Sequence, residues 1–122
     1  MYGKKHSSEA HFMFCSHFSS WWYGHPDRES FVYLLGILKN TRAHIKDIFD
    51  FETDTIHPEC LQEPWVDTLA RRTILLAFNL YKNWMPTDYP EDCSPGSLFD
   101  NEKLRKYLLI GLQMKYEKKD ML

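Results

Sequence analysis

The side chains best suited to holding an anion lie in "RRTILLAFNLYKNW", Arg71 to Trp84. At about 100° per residue on a helix, Arg71, Arg72, Asn79, Lys82 and Asn83 fall on one side, with Leu75 among them. Leu69, Ile74, Leu76, Phe78, Leu80 and Trp84 cover the other side, so Asn79 does not interrupt the apolar face. Guanidinium forks and amides suit phosphate or carboxylate. Arg71, Arg72, Asn79 and Lys82 are therefore a candidate site for a small anionic ligand of nucleotide type. The simpler reading is a solvated face or a hydrogen-bonded seam to a neighbouring loop. In that case Arg71 or Arg72 pairs with the acids just upstream.

A second candidate is "SSWWYGHP". Two tryptophans and a tyrosine in succession cannot all face one core from one helix end. At least one of Trp21, Trp22 and Tyr23 is expected at the surface or in an interface. Aromatics of this kind anchor protein–protein contacts, and beside basic residues a ring also stacks on a nucleotide base. The structural alternative is a helix end that plugs the core and leaves one ring outside.

Other constellations fall short of their chemistry. "DFETDTIHPECL" begins like a calcium loop, with Asp50, Glu52 and Asp54 at alternate positions. Thr55 stands where that loop needs glycine and Leu61 where it needs a bidentate glutamate, so an acidic loop with an Asx-type turn at Asp50 or Asp54 is the better reading. His11 and Cys15 are one helical turn apart, but His17 points elsewhere and no fourth ligand is near in sequence. Cys60 and His57 are separated by Pro58, and nothing supplies an oxyanion hole. The five glycines are scattered and form no phosphate loop. No catalytic residue, metal ligand or cofactor is assigned.

The elements that must position these residues read as helices. Ser7 or Ser8 caps a first, aromatic helix, over about residues 8–22, with Ala10, Phe14, Phe18 and Trp21 at helical spacing. Gly24 and Pro26 break it, and Asp27 caps a central helix from about Arg28 to Lys39 that is apolar on nearly all sides. Asn40 and Thr41 offer a break and a cap for a short third helix carrying Ile45, Ile48 and Phe49. An acidic connector, 50–65, follows, with one helical turn around Pro58–Leu61. The fourth helix spans about Val66–Trp84, residues 85–99 are a surface loop, and Asp100 or Asn101 caps a last helix over 100–116. Period-two alternation is weak everywhere. The expected fold is all-α: a single compact domain, 1–122, of four to five helices around Phe31–Leu38 and Ile74–Trp84.

The bulk composition narrows the function classes. With 122 residues, 43% hydrophobic and 26% charged, the chain is globular, and eight Phe, seven Tyr and four Trp exceed what one small core needs. A net charge of −2 argues against binding duplex DNA. Charge is uneven: Asp47–Glu59 holds five acids and no Lys or Arg, while Lys103–Lys119 holds six bases and one acid. Three cysteines, Cys15, Cys60 and Cys93, cannot all pair and suggest reduced thiols in a cytoplasmic setting. "MYGKKHSSEAHF" lacks the apolar stretch of a signal peptide, and "FVYLLGIL" is far short of the roughly 20 residues that span a bilayer.

"IKDIFDFETDTIHPECLQEPW" followed by "RRTILLAFNLYKNW" resembles a family of small uncharacterised helical proteins from Gram-positive bacteria and their phages and mobile elements. The similar portion runs from about Phe31 to the last helix and is strongest at Ile48–Tyr81; "HFMFCSHFSSWWYGH" lies outside it. The resemblance brings no catalytic motif and no site residue. It implies a cytoplasmic accessory protein, of a kind that often binds and blocks host machinery. The first expectation is therefore a non-enzymatic protein that binds and inhibits or modulates a host protein through Trp21, Trp22 and Tyr23. The rivals are a binder that sequesters a small anionic ligand on Arg71, Arg72, Asn79 and Lys82, and a metal-dependent enzyme. A homodimer fits any of them.

Overall fold

The computed structural model describes residues 5–87 and 93–116. Among them are eight α-helices: α1 Glu9–His17, α2 Ser19–Trp22, α3 Pro26–Gly36, α4 Lys39–Ala43, α5 Ile45–Ile48, α6 Thr68–Lys82, α7 Pro95–Leu98 and α8 Glu102–Tyr116. A two-stranded antiparallel hairpin, β1 Phe49–Asp50 and β2 Thr55–Ile56, pairs Phe49 with Ile56 and Asp50 with Thr55. A 3₁₀ turn follows over Pro58–Gln62. The mainly helical class is as expected; the helix count is higher because two expected helices are each broken in two and because α7 lies in the stretch 85–99 expected to be a surface loop, where Ser94 caps it at the Ser97 amide.

The breaks have local causes. α1 starts where expected, with Ser8 Oγ accepting from the His11 amide at 3.0 Å. It stops at Phe18, and α2 starts anew at Ser19. The Cys15 carbonyl there accepts from the Phe18 amide at 3.2 Å and from the Trp22 indole at 2.7 Å, which folds α2 back onto α1. The third helix divides at His44, whose ring stacks on Trp65 at 4.2 Å, and Phe49 leaves it for β1.

α3 is the centre. Gly24, at φ 81°, turns the chain into it, Pro26 opens it, and Ser30 to Gly36 are all buried. Its last carbonyls are satisfied from the next helix. Thr41 Oγ1 donates to Leu35 O at 2.6 Å and Leu38 O at 3.0 Å, and Arg42 Nη1 donates to Gly36 O at 2.7 Å. Thr41 thus lies inside α4 and closes α3, rather than capping the helix that follows it.

α6 and α8 pack on α3. Asp67 caps α6 by accepting from the Ala70 amide at 2.8 Å. Asn83 ends α6 in the left-handed region at φ 54°, where its amide returns to Asn79 O and the Trp84 amide to Phe78 O. Asn101 caps α8 at the Leu104 amide. Leu104, Leu108 and Gly111 form the buried seam of α8, and Ser30 Oγ donates to Gly111 O at 2.6 Å across the α3–α8 crossing.

An aromatic cluster joins these helices to the hairpin. Phe31 of α3 lies 4.8 Å from both Phe49 of β1 and Tyr81 of α6, with Trp21 beside them. The hairpin turn is held by Asp50, whose Oδ1 accepts from the Glu52 and Thr53 amides. Asp54, at φ 56°, points to α6 and accepts from the Tyr81 hydroxyl at 2.5 Å and Lys82 Nζ at 3.1 Å. No helix among the described residues is long and apolar enough to cross a membrane.

Candidate functional site

The structure separates the residues of the anion strip. Arg72 pairs with Asp100 at 2.8 Å, just ahead of α8, and Lys82 pairs with Asp54 of the hairpin turn. Ten residues of helix put these two pairs about 15 Å apart. Leu75 between them is buried, and Asn79 borders a hollow with Leu75, Leu76, Trp84, Met85, Pro86, Cys93 and Leu98. Arg71 is half-buried, and Asn83 is a helix cap. This side of α6 is a seam to the hairpin on one end and to the α7–α8 connection on the other.

Trp21, Trp22 and Tyr23 take different environments. Trp21 belongs to the aromatic cluster, 5.5 Å from Phe49 and 4.9 Å from Phe51, with the Arg28 guanidinium 5.0 Å over its ring. Trp22 is half-buried, holds α1 through Cys15 O, and walls a cavity of about 190 Å³ with Cys15, Glu29 and Tyr33. Tyr23 is 80% exposed. Only this ring stands free as an anchor.

The carboxylates of the calcium-like loop do not converge: Asp50 faces its own turn and Asp54 faces α6. Burial raises the Asp54 pKa, but the Tyr81 hydroxyl bond, the Lys82 bond and the charges of Lys82 and Arg28 together hold it below the usual carboxylate value. At Cys60, burial and then the charges of Glu59, Asp47 and Glu63 push the thiol up to about 12, the reverse of what a thiolate nucleophile needs. Burial likewise pushes Cys15 up to about 12. Among the described residues no three or more His, Cys, Asp or Glu gather in a way that would hold a metal ion.

His11 is fully buried and joined to backbone on both sides. Nδ1 accepts from the Ser7 amide at 2.9 Å, so Nε2 carries the proton and donates to Tyr33 O at 2.8 Å. Burial lowers its pKa to about 4, against the bond to Tyr33 O that raises it, with the charges of His6 and Arg42 lowering it further. The unfolded chain takes up this proton near pH 6.5. The contribution of neutral His11 is therefore complete above pH 6.5 and is lost as pH falls towards 4, amounting to about 3 kcal/mol. Urea titrations across that range should show the decline, and a flatter slope in His11→Gln. An unchanged slope in the variant would remove His11 as its source.

A larger apolar surface lies on the outer side of α1. This helix buries His11 and Cys15, yet leaves Met13 60% exposed. Ala10, Met13, Phe14 and His17, at helical i, i+3, i+4, i+7 spacing, form one wall of an open groove of about 590 Å³. Arg42, Ile45 and Lys46 form the other, and Phe18 and Phe51 complete it. The two phenylalanine rings stack at 4.5 Å, and Phe14 lies edge-on to Phe18 at 5.0 Å. Phe14 is pinned from below, because a Cβ on Gly36 would stand 2.7 Å from its ring. Sequence spacing put Phe14 and Phe18 on a single long helix; both are partly buried against the core and partly open to the groove. The available signal was that Phe12, Met13 and Phe14, three consecutive large apolar residues, cannot all share one face of α1.

No curated protein and no solved structure matches the chain. Residues 3–121 match a family of unknown function, and the match takes in the N-terminal aromatic segment that the resemblance had left out. The chain, with its groove, belongs to that family, DUF6075.

Proposed function

We propose that the protein is a non-enzymatic binding protein that captures another protein on the apolar groove between α1 and α4–α5. The observation that carries the reading is Met13, a large apolar side chain 60% exposed beside three phenylalanines fixed by ring contacts. A rigid aromatic floor with one exposed flexible thioether is suited to seating a partner's side chains at small entropic cost. Tyr23 is a second, separate anchor. Origin in phages or mobile elements of Gram-positive bacteria, a cytoplasmic setting, and a host protein as the target to be inhibited or modulated belong to this proposal. They rest on the resemblance at Ile48–Tyr81.

The test uses Met13→Asp. Met13 is mostly in solvent, so its melting temperature should stay within about 2 °C of wild type. Quantitative co-purification from the source cells should show a partner retained by the wild type and lost from the variant. A partner set identical for both proteins would refute the groove. Trp22→Ala is a poorer probe, since it also removes the bond that fixes α2 to α1.

A further inference from the structure

Charge at the rim of the groove sets the chemistry of what it binds. No Asp or Glu lines it, whereas Arg42 and Lys46 stand along one wall. Arg42 directs Nη1 to the carbonyls of Gly36 and Ile37, and neither it nor Lys46 has an acidic partner among the described residues. Arg72 and Lys82, by contrast, face acids of this chain from α6, and Lys5 faces Glu29. The chain is net negative overall, at −2, yet the lining of this groove holds two bases and no acid.

The walls also set the shape. One wall is the stripe of α1, nine residues and about 13 Å long; the other is made by Arg42 of α4 with Ile45 and Lys46 of α5. A helix of two to three turns matches the length of the α1 stripe, and apolar side chains at i, i+3 or i+4, and i+7 on it would meet Phe14, Phe18 and Phe51. An extended segment has less to pair with, since each strand of the hairpin is only two residues long.

We infer that the groove takes a short amphipathic helix of a partner protein, with Asp or Glu flanking its apolar stripe on the side that meets Arg42 and Lys46. The inference rests on the groove being the binding surface. It adds the sign of the partner's charge and its helical form.

The experiment selects binders from a surface-displayed library of randomised peptides on the immobilised full chain, then measures the selected peptides against Met13→Asp and Lys46→Glu. Peptides with an i, i+3 or i+4, i+7 apolar pattern and net negative charge are expected. Met13→Asp should abolish their binding and Lys46→Glu should weaken it about tenfold. Peptides that need Met13 but carry no acids, or ignore Lys46→Glu, overturn the charge inference and leave the groove standing. If no peptide depends on Met13, the groove itself fails. A concentration-dependent dimer that Met13→Asp abolishes would give the groove to a second copy and overturn the inference.

Discussion

Phe31→Ala is expected to destabilise the protein by about 3–5 kcal/mol, a large part of the ~5–15 kcal/mol that holds a domain together. Phe31 is 1% exposed and sits where three elements meet, with Phe49 and Tyr81 each 4.8 Å away and Trp21 at 6.2 Å. Its removal leaves a cavity that the hairpin, α2 and α6 cannot close together, because each is fixed separately. The Asp54 bond to Tyr81 ties the hairpin to α6, and the Trp22 indole ties α2 to α1. The loss should reach the groove as well, since Phe51 leans on Phe49 at 4.9 Å. Denaturant unfolding measures the first effect, and a partner affinity reduced in the still-folded fraction measures the second. A loss under about 1 kcal/mol would mean that the cluster is not the keystone between α3 and the hairpin.

The crossing of α3 and α8 is expected to tolerate no side chain at Gly111. A Cβ there would stand 2.5 Å from Leu34 Cδ2, 2.7 Å from Leu34 Cγ and 3.3 Å from Tyr33 Cδ1. Leu34 is fully buried and has nowhere to turn. The Ser30 bond to Gly111 O holds the two backbones at this spacing. Gly111→Val should therefore cost about 3 kcal/mol or more. Gly111→Ala decides the mechanism by its sign: helix propensity alone gains about 1 kcal/mol from that change, whereas the clash makes it a net loss. Gly96 in α7 is the control, because a Cβ there meets nothing within 4 Å and its replacement by alanine should not destabilise. A stabilised Gly111→Ala would show that α8 stands farther from α3 than this packing requires.

What could be read from the sequence was what depends on neighbouring residues alone. Ser8 and Asn101 cap helices because the cap is local chemistry, and Asp50 makes an Asx turn for the same reason, whereas Asp67, expected inside the helix, is the cap of α6. The central place of Phe31–Leu38 and Ile74–Trp84 followed from runs too apolar to leave exposed, and Phe31–Leu35 and Ile74–Phe78 within them are buried. The hairpin did not, since strands of two residues carry no periodicity. Nor did the closing of α3 by Thr41 and Arg42, which depends on α4 turning back over it. Leu75 lies among the polar residues of α6, yet it is buried where α6 borders the hollow reaching Leu98. The groove was hidden for a related reason. Which side of α1 is covered is decided by Gly36 of α3, against which Phe14 and His11 close, and not by the spacing within α1. Trp21 and Trp22 drew notice by composition, but the structure uses both to hold elements together.

The groove is tested most directly by recording the amide NMR spectrum of the protein while titrating in the captured partner segment. Binding there shifts the signals of Ala10–Phe18 and Arg42–Phe51 and leaves those of Arg71–Asn79 in place. Shifts confined to Tyr23, or gathered on the Arg72–Lys82 side of α6, would contradict it.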